Sequence, residues 1–154
     1  MPASSSRFAH RNLPLLLLQT RERIIARFRP LLHAAGLTEQ QWRVIRALLE
    51  FGPLEPRQIG HVCCLSSPSL AGILARMDDL GLVERERMPH DQRRVAVTVT
   101  GRGEALAAQL APQIEATYGA LESQIGAERS AQLYHLLDEL AVRLGEAPAG
   151  GEVD

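Results

Sequence analysis

Small hydroxyl side chains gather where a predicted helix begins near the middle of the chain. Ser66, Ser67 and Ser69 surround Pro68, and Arg76 follows about two turns later. Serine favours the N-cap and proline the first helical position, so Ser67 is predicted to cap a helix that starts at Pro68. Hydroxyls and a guanidinium on the open face of such a helix can donate hydrogen bonds to base edges, while its N-terminus attracts a phosphate. The pattern is typical of a helix that contacts nucleic acid.

A second group of polar residues, Asp91, Arg93 and Arg94, lies between two segments in which apolar and polar residues alternate. The period of two predicts a β-hairpin. Strands are predicted over 82–87 and 95–99, joined by a polar loop over 88–94. Arginines at a hairpin tip can enter a minor groove or contact its phosphates, and Asp91 is placed to orient the guanidinium of Arg93.

Apolar residues recur with a helical period in almost all of the remaining chain. The clearest helix start is at Thr38, because Gln41 completes a capping box and Leu37 and Trp42 occupy the two positions of a hydrophobic staple. Pro30 is expected to kink or shorten the first helix. Helices are predicted over about 13–35, from the Thr38 cap to Phe51, over 56–63 and 69–80, after the Thr100 cap, and over 127–144.

These elements place the two polar groups next to each other. Two short helices joined by a tight turn and followed at once by a hairpin form a winged helix-turn-helix, whose second helix can enter a major groove about 12 Å wide. The predicted fold class is mainly α (α+β), in one domain. It comprises a flexible arm over 1–12, dimerisation helices over 13–36 and 101–145, the winged helix-turn-helix over 37–100, and a tail over 146–154.

Charge is distributed unevenly along the chain. The formal net charge is only −1, but residues 1–50, 51–103 and 104–154 carry +5, +1 and −7. The region that would contact DNA is therefore close to neutral, and its affinity must come from where single arginines are placed. Two such lobes would have to bind DNA together for high affinity. An apolar stripe suited to dimerisation is formed by Leu133, Leu136, Leu137, Leu140 and Leu144.

The chain resembles the MarR family of transcriptional regulators from about Leu13 to Leu144. The residues that carry the resemblance are Leu37–Trp42, Leu80–Arg85, and Asp91–Arg94 followed by Val97–Thr100. Further stretches look like the branch of the family that regulates homoprotocatechuate degradation: Leu17–Glu22, Phe28–Pro30 and Pro68–Leu74. The resemblance implies a homodimer that binds a pseudo-palindromic operator in double-stranded DNA. It also implies repression relieved by a phenolic acid such as 4-hydroxyphenylacetate or 3,4-dihydroxyphenylacetate.

Such an effector would bind where the dimerisation helices meet the DNA-binding lobe. A phenolic acid requires a cation for its carboxylate, apolar or aromatic walls, and polar partners for its hydroxyl groups. The candidates are Arg21, Trp42, Arg46 and Tyr118. Each also has a purely structural interpretation: Trp42 as a core residue, the arginines as surface or ion-paired groups, and Tyr118 as an interface residue.

Cys63 and Cys64 leave a second function open, that of a thiol redox sensor. Burial as small apolar side chains is the structural alternative. Adjacent cysteines rarely form a disulfide with each other, and His61 beside them gives poor spacing for tetrahedral metal ligands. A thiol hydrolase built on Cys63 and His61 lacks any supporting motif, and a winged helix used only for protein contacts is a third alternative. We expect no cofactor, no metal and no enzymatic activity.

The longest apolar run, Leu13–Leu18, is too short to cross a bilayer and contains Pro14. No signal peptide is apparent. The sequence therefore predicts a cytoplasmic protein without a membrane partner.

Overall fold

A computed structural model describes residues 7–146, so parts of the predicted arm and tail lie outside the described residues. The chain forms seven helices and one hairpin within that range. The helices are α1 (Leu13–Ile25), α2 (Arg29–Ala34), α3 (Glu39–Phe51), α4 (Pro56–Cys63), α5 (Ser67–Asp79), α6 (Gly101–Ile125) and α7 (Ala127–Leu144). The strands are β1 (Val83–Met88) and β2 (Asp91–Val99). The predicted mainly α class with a winged helix-turn-helix is confirmed.

The first predicted helix is divided into two. The backbone N–H groups of Arg27 and Phe28 bond back to the carbonyls of Ile24 and Ile25, three residues earlier, so the last turn of α1 tightens and ends. Pro30, in the first turn of α2, has no N–H to continue the ladder. The expected effect of this proline on the helix is thus confirmed.

Local capping signals determine where α3 and α6 begin. The hydroxyl of Thr38 accepts the backbone N–H of Gln41 at 3.1 Å, and the Gln41 side chain accepts the N–H of Thr38 at 3.0 Å. The hydroxyl of Thr100 accepts the N–H of Gly103 at 3.1 Å and donates to the carbonyl of Gly81 at 2.6 Å. The second bond fixes the start of α6 against the turn that precedes β1.

The start of α5 differs by one residue from the prediction. Ser66, with an extended backbone, is the N-cap, so Ser67 is the first helical residue and Pro68 the second. The hydroxyl of Ser66 donates to that of Ser69 at 2.9 Å instead of capping a backbone N–H. Proline is tolerated at either of these first positions, so its type alone does not decide between them.

The hairpin has a tight turn where a seven-residue loop is predicted. Its strands pair antiparallel from Val83↔Val99 to Arg87↔Val95, and then the register shifts so that Met88 faces Asp91. Residues 92–94 therefore belong to β2 but are not paired in register with any residue of β1. This part of the hairpin is exposed on both faces, so no apolar alternation marks it in the sequence.

One apolar core joins α2 through α6 and the hairpin. Leu32, Val44, Ile45, Ile59, Met77 and Val97 are the largest of its fully enclosed side chains. Leu54, after α3, pairs with Val97 through two backbone hydrogen bonds of 2.7 and 3.2 Å and ties the hairpin to the helices. By contrast, α1 and α7 contain no buried residue.

No single helix within residues 7–146 is both long and apolar enough to cross a membrane. The consecutive helices α4 and α5 reach that composition only as a pair bent by 110°.

Candidate functional site

Helix α5 is anchored by one face and exposes the other. Leu70, Leu74 and Met77 are buried against the core. The opposite face exposes Ser67, Ser69, Gly72, Arg76 and Asp79. The bend of 110° between α4 and α5 falls in the range of a helix-turn-helix. The structure therefore presents the predicted serines and Arg76 on one open surface, with Ser66 half-buried at its edge.

Asp91 and Arg93 lie at the distal end of the hairpin, beside its turn. Asp91 accepts a hydrogen bond from the backbone N–H of Arg93 at 3.0 Å. The structure therefore shows this carboxylate bonded to the backbone amide of Arg93 and, within residues 7–146, not to its guanidinium, so the orienting role of Asp91 stays a prediction. Within the described part of the chain, no residue accepts a hydrogen bond from the exposed Arg93 guanidinium.

Arg94 has a different environment from its neighbour. Its Nε and Nη2 atoms donate to the two carboxylate oxygens of Glu55 at 2.8 and 2.7 Å, and Glu55 precedes α4. The hydrogen bond from Arg94 holds the pKa of Glu55 below its usual value, and the same bond raises the pKa of Arg94. This bidentate pair joins the hairpin to the helix-turn-helix, and sequence analysis did not anticipate Glu55.

A cleft of about 620 Å³ opens between α1, α3, α6 and α7. All four predicted effector residues, Arg21, Trp42, Arg46 and Tyr118, line it. Its other walls are mainly apolar and include Leu17, Leu18, Ile24, Ile25, Phe28, Leu133 and Leu137. Residues from four helices thus combine aromatic and apolar walls with cationic groups.

The aromatic wall of the cleft is ordered by packing. The rings of Phe28 and Tyr118 are tilted by 56° with centroids 4.9 Å apart, a favourable aromatic arrangement. Burial is the main cause that raises the pKa of the Tyr118 hydroxyl, which therefore stays protonated at neutral pH. It is a neutral hydrogen-bonding group on the cleft wall.

Glu39 lies at the centre of the charged side of the cleft, between two arginines. Its carboxylate accepts Arg21 Nη2 at 2.7 Å and Arg43 Nη2 at 2.7 Å. Burial acts to raise the pKa of Glu39, but the hydrogen bonds and charges of Arg43 and Arg21 outweigh it, and the pKa is lowered. Sequence analysis missed Glu39 and Arg43, although their spacing of four residues is that of a helical ion pair.

The two cysteines occupy different environments. Cys63 is buried and its thiol lies 3.7 Å from the carbonyl of Arg43, whereas Cys64 is exposed with a left-handed backbone (φ 54°) at the end of α4. Burial is the main cause that raises the pKa of the Cys63 thiol, the opposite of what a reactive thiolate requires. Within residues 7–146, no three His, Cys, Asp or Glu side chains are grouped as metal ligands.

Comparison with known proteins identifies this architecture. The MarR family model matches residues 35–94, the helix-turn-helix and most of the hairpin. The homoprotocatechuate degradative operon repressor of Escherichia coli is 41% identical over 138 residues, covering 90% of this chain and 93% of that protein. The HTH-type transcriptional regulator FarR of Neisseria gonorrhoeae is 40% identical over 141 residues, covering 92% and 94%.

The chain belongs to the MarR family. It is thus a transcriptional regulator, as the resemblance in its sequence implied. Among solved MarR-type structures, that of NadR in complex with 4-hydroxyphenylacetate has a TM-score of 0.79 and 39% identity, covering 92% of this chain and 98% of that one. In this MarR protein, α5 and the hairpin carry the residues predicted to contact DNA, and α3, which lines the cleft, packs against both.

Proposed function

We propose that this MarR protein is a homodimeric repressor that releases its operator when a phenolic acid binds the cleft. The observation that carries the proposal is the convergence of Arg21, Trp42, Arg46 and Tyr118 on one cavity. Arg46 is exposed and forms no hydrogen bond or ion pair with any described residue, so it is available to an incoming carboxylate. Tyr118 supplies a neutral hydroxyl for the phenolic end.

The relatives support the same chemistry. One is named for the homoprotocatechuate degradative operon, and a structure of 39% identity is a complex with 4-hydroxyphenylacetate. A ring with a short carboxylate arm fits a site with aromatic walls and cations at one side. In this proposal the protein acts in the cytoplasm, by binding and not by catalysis.

Dimerisation is supported by the unpaired apolar faces of α1 and α7. The side chains of Leu15, Leu17, Leu18, Leu133, Leu136, Leu137 and Leu140 are all more than a third exposed in the single chain. A contiguous exposed apolar surface marks an interaction site. The two helices therefore form the dimer contact, which also brings two copies of α5 to neighbouring half-sites of an operator.

The experiment uses two readouts on the same preparation. Fluorescence of Trp42, the single tryptophan, reports ligand binding, and a mobility shift on DNA upstream of the protein's own gene reports operator binding. We expect 4-hydroxyphenylacetate to change the fluorescence and to weaken the DNA complex. Phenylacetate and 4-hydroxyphenylethanol, which lack the hydroxyl and the carboxylate respectively, should act more weakly. Changes in fluorescence and in the DNA complex that do not saturate and are equal for all three compounds would contradict the proposal.

A further inference from the structure

The Arg43 guanidinium donates hydrogen bonds to two residues at once, Glu39 and Cys63, and connects two regions of the protein. Its Nε and Nη2 atoms bind the Glu39 carboxylate, while Nη1 donates to the backbone carbonyl of Cys63 at 2.7 Å. Glu39 and Arg43 both line the cleft. Cys63 is the last residue of α4, in the helix-turn-helix. One guanidinium therefore joins the wall of the cleft to the helix-turn-helix.

The carbonyl of Cys63 needs such a donor. The last carbonyls of a helix have no partner within it, and a cation beside them also interacts favourably with the helix dipole. Cys64 then adopts the left-handed conformation that ends α4, and the turn leads directly to the Ser66 cap of α5. Arg43 thereby supports the turn that orients α5.

The charges that line the cleft make the bond between Arg43 and the Cys63 carbonyl sensitive to an anion. Three arginines, Arg21, Arg43 and Arg46, line the cavity against one described carboxylate, that of Glu39. A ligand carboxylate would compete with Glu39 for Arg21 and Arg43. Because Arg43 already uses all three of its nitrogen atoms, its guanidinium cannot turn towards a new anion without weakening an existing bond.

We propose that Arg43 is the positioning residue that couples the cleft to the helix-turn-helix. A carboxylate in the cleft disturbs the Glu39–Arg43 pair, Arg43 shifts away from the Cys63 carbonyl, and the turn before α5 loses its support. The inference rests on the proposed function, since it requires an anionic ligand that lowers operator affinity. By linkage, bound operator lowers the affinity for that ligand by the same factor.

The test measures operator affinity with and without saturating 4-hydroxyphenylacetate, with saturation established by Trp42 fluorescence. In the unmodified protein we expect affinity to fall by roughly 5- to 150-fold, the usual range of allosteric coupling. Arg43→Lys keeps the charge but lacks the fork that reaches Glu39 and Cys63 together. In this variant we expect ligand binding to persist and the change in operator affinity to fall below about threefold.

Glu39→Gln removes the carboxylate that competes with the ligand for Arg43 and leaves the Arg43–Cys63 bond in place. This variant should bind operator and release it at a lower ligand concentration than the unmodified protein. Arg129→Lys is the matched control, because Arg129 also donates to a helix-terminal carbonyl, that of Ile125, but lies outside the cleft. Full release by Arg43→Lys, or a Glu39→Gln variant that needs as much ligand for release as the unmodified protein, would overturn this inference and leave the proposed function standing. Loss of ligand binding by Arg43→Lys would also overturn the inference. No response in the unmodified protein would instead overturn the proposed function.

Discussion

Arg93 and Arg94 are adjacent, yet only one of them carries an uncompensated charge. Arg94 is paired through two hydrogen bonds with Glu55, while the guanidinium of Arg93 has no acceptor among residues 7–146. A free arginine that contacts phosphate releases counterions and makes binding depend on salt. An arginine already neutralised by a carboxylate contributes less to that dependence.

We therefore expect Arg93→Gln and Arg94→Gln to weaken operator binding in different ways. Arg93→Gln should reduce the slope of log affinity against log salt concentration by about one per contact. Arg94→Gln should change the slope less, because the Arg94 guanidinium is already bonded to the Glu55 carboxylate and releases fewer counterions when the protein binds DNA. Fluorescence anisotropy of labelled operator DNA at several salt concentrations measures both.

Glu55→Gln provides the control for this comparison. The double variant Glu55→Gln/Arg94→Gln lacks the unpaired carboxylate that Arg94→Gln leaves behind, so it should bind DNA more tightly than Arg94→Gln does. Equal changes in salt slope for Arg93→Gln and Arg94→Gln would contradict the distinction between the two arginines.

At the scale of elements, the start of α6 is held unusually close to the hairpin. A Cβ atom on Gly103 would lie 2.5 Å from the carbonyl oxygen of Leu82 and 2.6 Å from a methyl carbon of Val99. The Thr100 cap and its bond to Gly81 maintain this approach. Glycine is needed here for space and not for a special backbone conformation.

Gly103→Ala should therefore destabilise the protein by about 1–3 kcal/mol, since backbone atoms must move to admit the methyl group. Gly119→Ala is the matched control in the same helix, because nothing lies within 4 Å of the position that its new methyl group would occupy. Removing a glycine from a helix interior should be neutral or stabilising by up to about 1 kcal/mol. Urea unfolding followed by circular dichroism measures both, and a stable Gly103→Ala variant would refute the close packing.

For the whole molecule, the exposed apolar faces of α1 and α7 determine the proposed assembly. Leu140 in α7 is 38% exposed and does not line the cleft, so it reports on dimerisation without touching the effector site. Leu140→Glu should place a charge in the dimer contact, where it has no described partner. We expect this variant to dissociate into monomers and to lose most of its operator affinity.

Light scattering after size-exclusion chromatography determines the molar mass of each variant, and hence whether it is a monomer or a dimer. Val62→Glu provides the comparison, because Val62 in α4 is similarly exposed at 44% but lies on the DNA-binding lobe. That variant should remain dimeric. A dimeric Leu140→Glu protein with unchanged DNA binding would remove the support for α7 as the contact.

The residues predicted from sequence converge in space to different degrees. The four effector candidates share one cleft, and each lies on a helix whose apolar face is recognisable in the sequence. Glu55 escaped prediction because an isolated charged residue gives no local sign of a distant partner. The spacing of Glu39 and Arg43 indicates their own ion pair but not their contacts with Arg21 and Cys63. The length of the hairpin turn escaped prediction as well, because exposed polar strands have no apolar alternation.

The sequence by itself determined the order and approximate limits of the helices and the presence of the hairpin. Caps, helix-ending glycines and apolar periods act within a few residues, so they can be recognised without the fold. Only the tertiary structure decided which charges are paired. Arg43 meets the Cys63 carbonyl across 20 residues and Arg94 meets Glu55 across 39, and such distant contacts depend on how the finished core orients its helices.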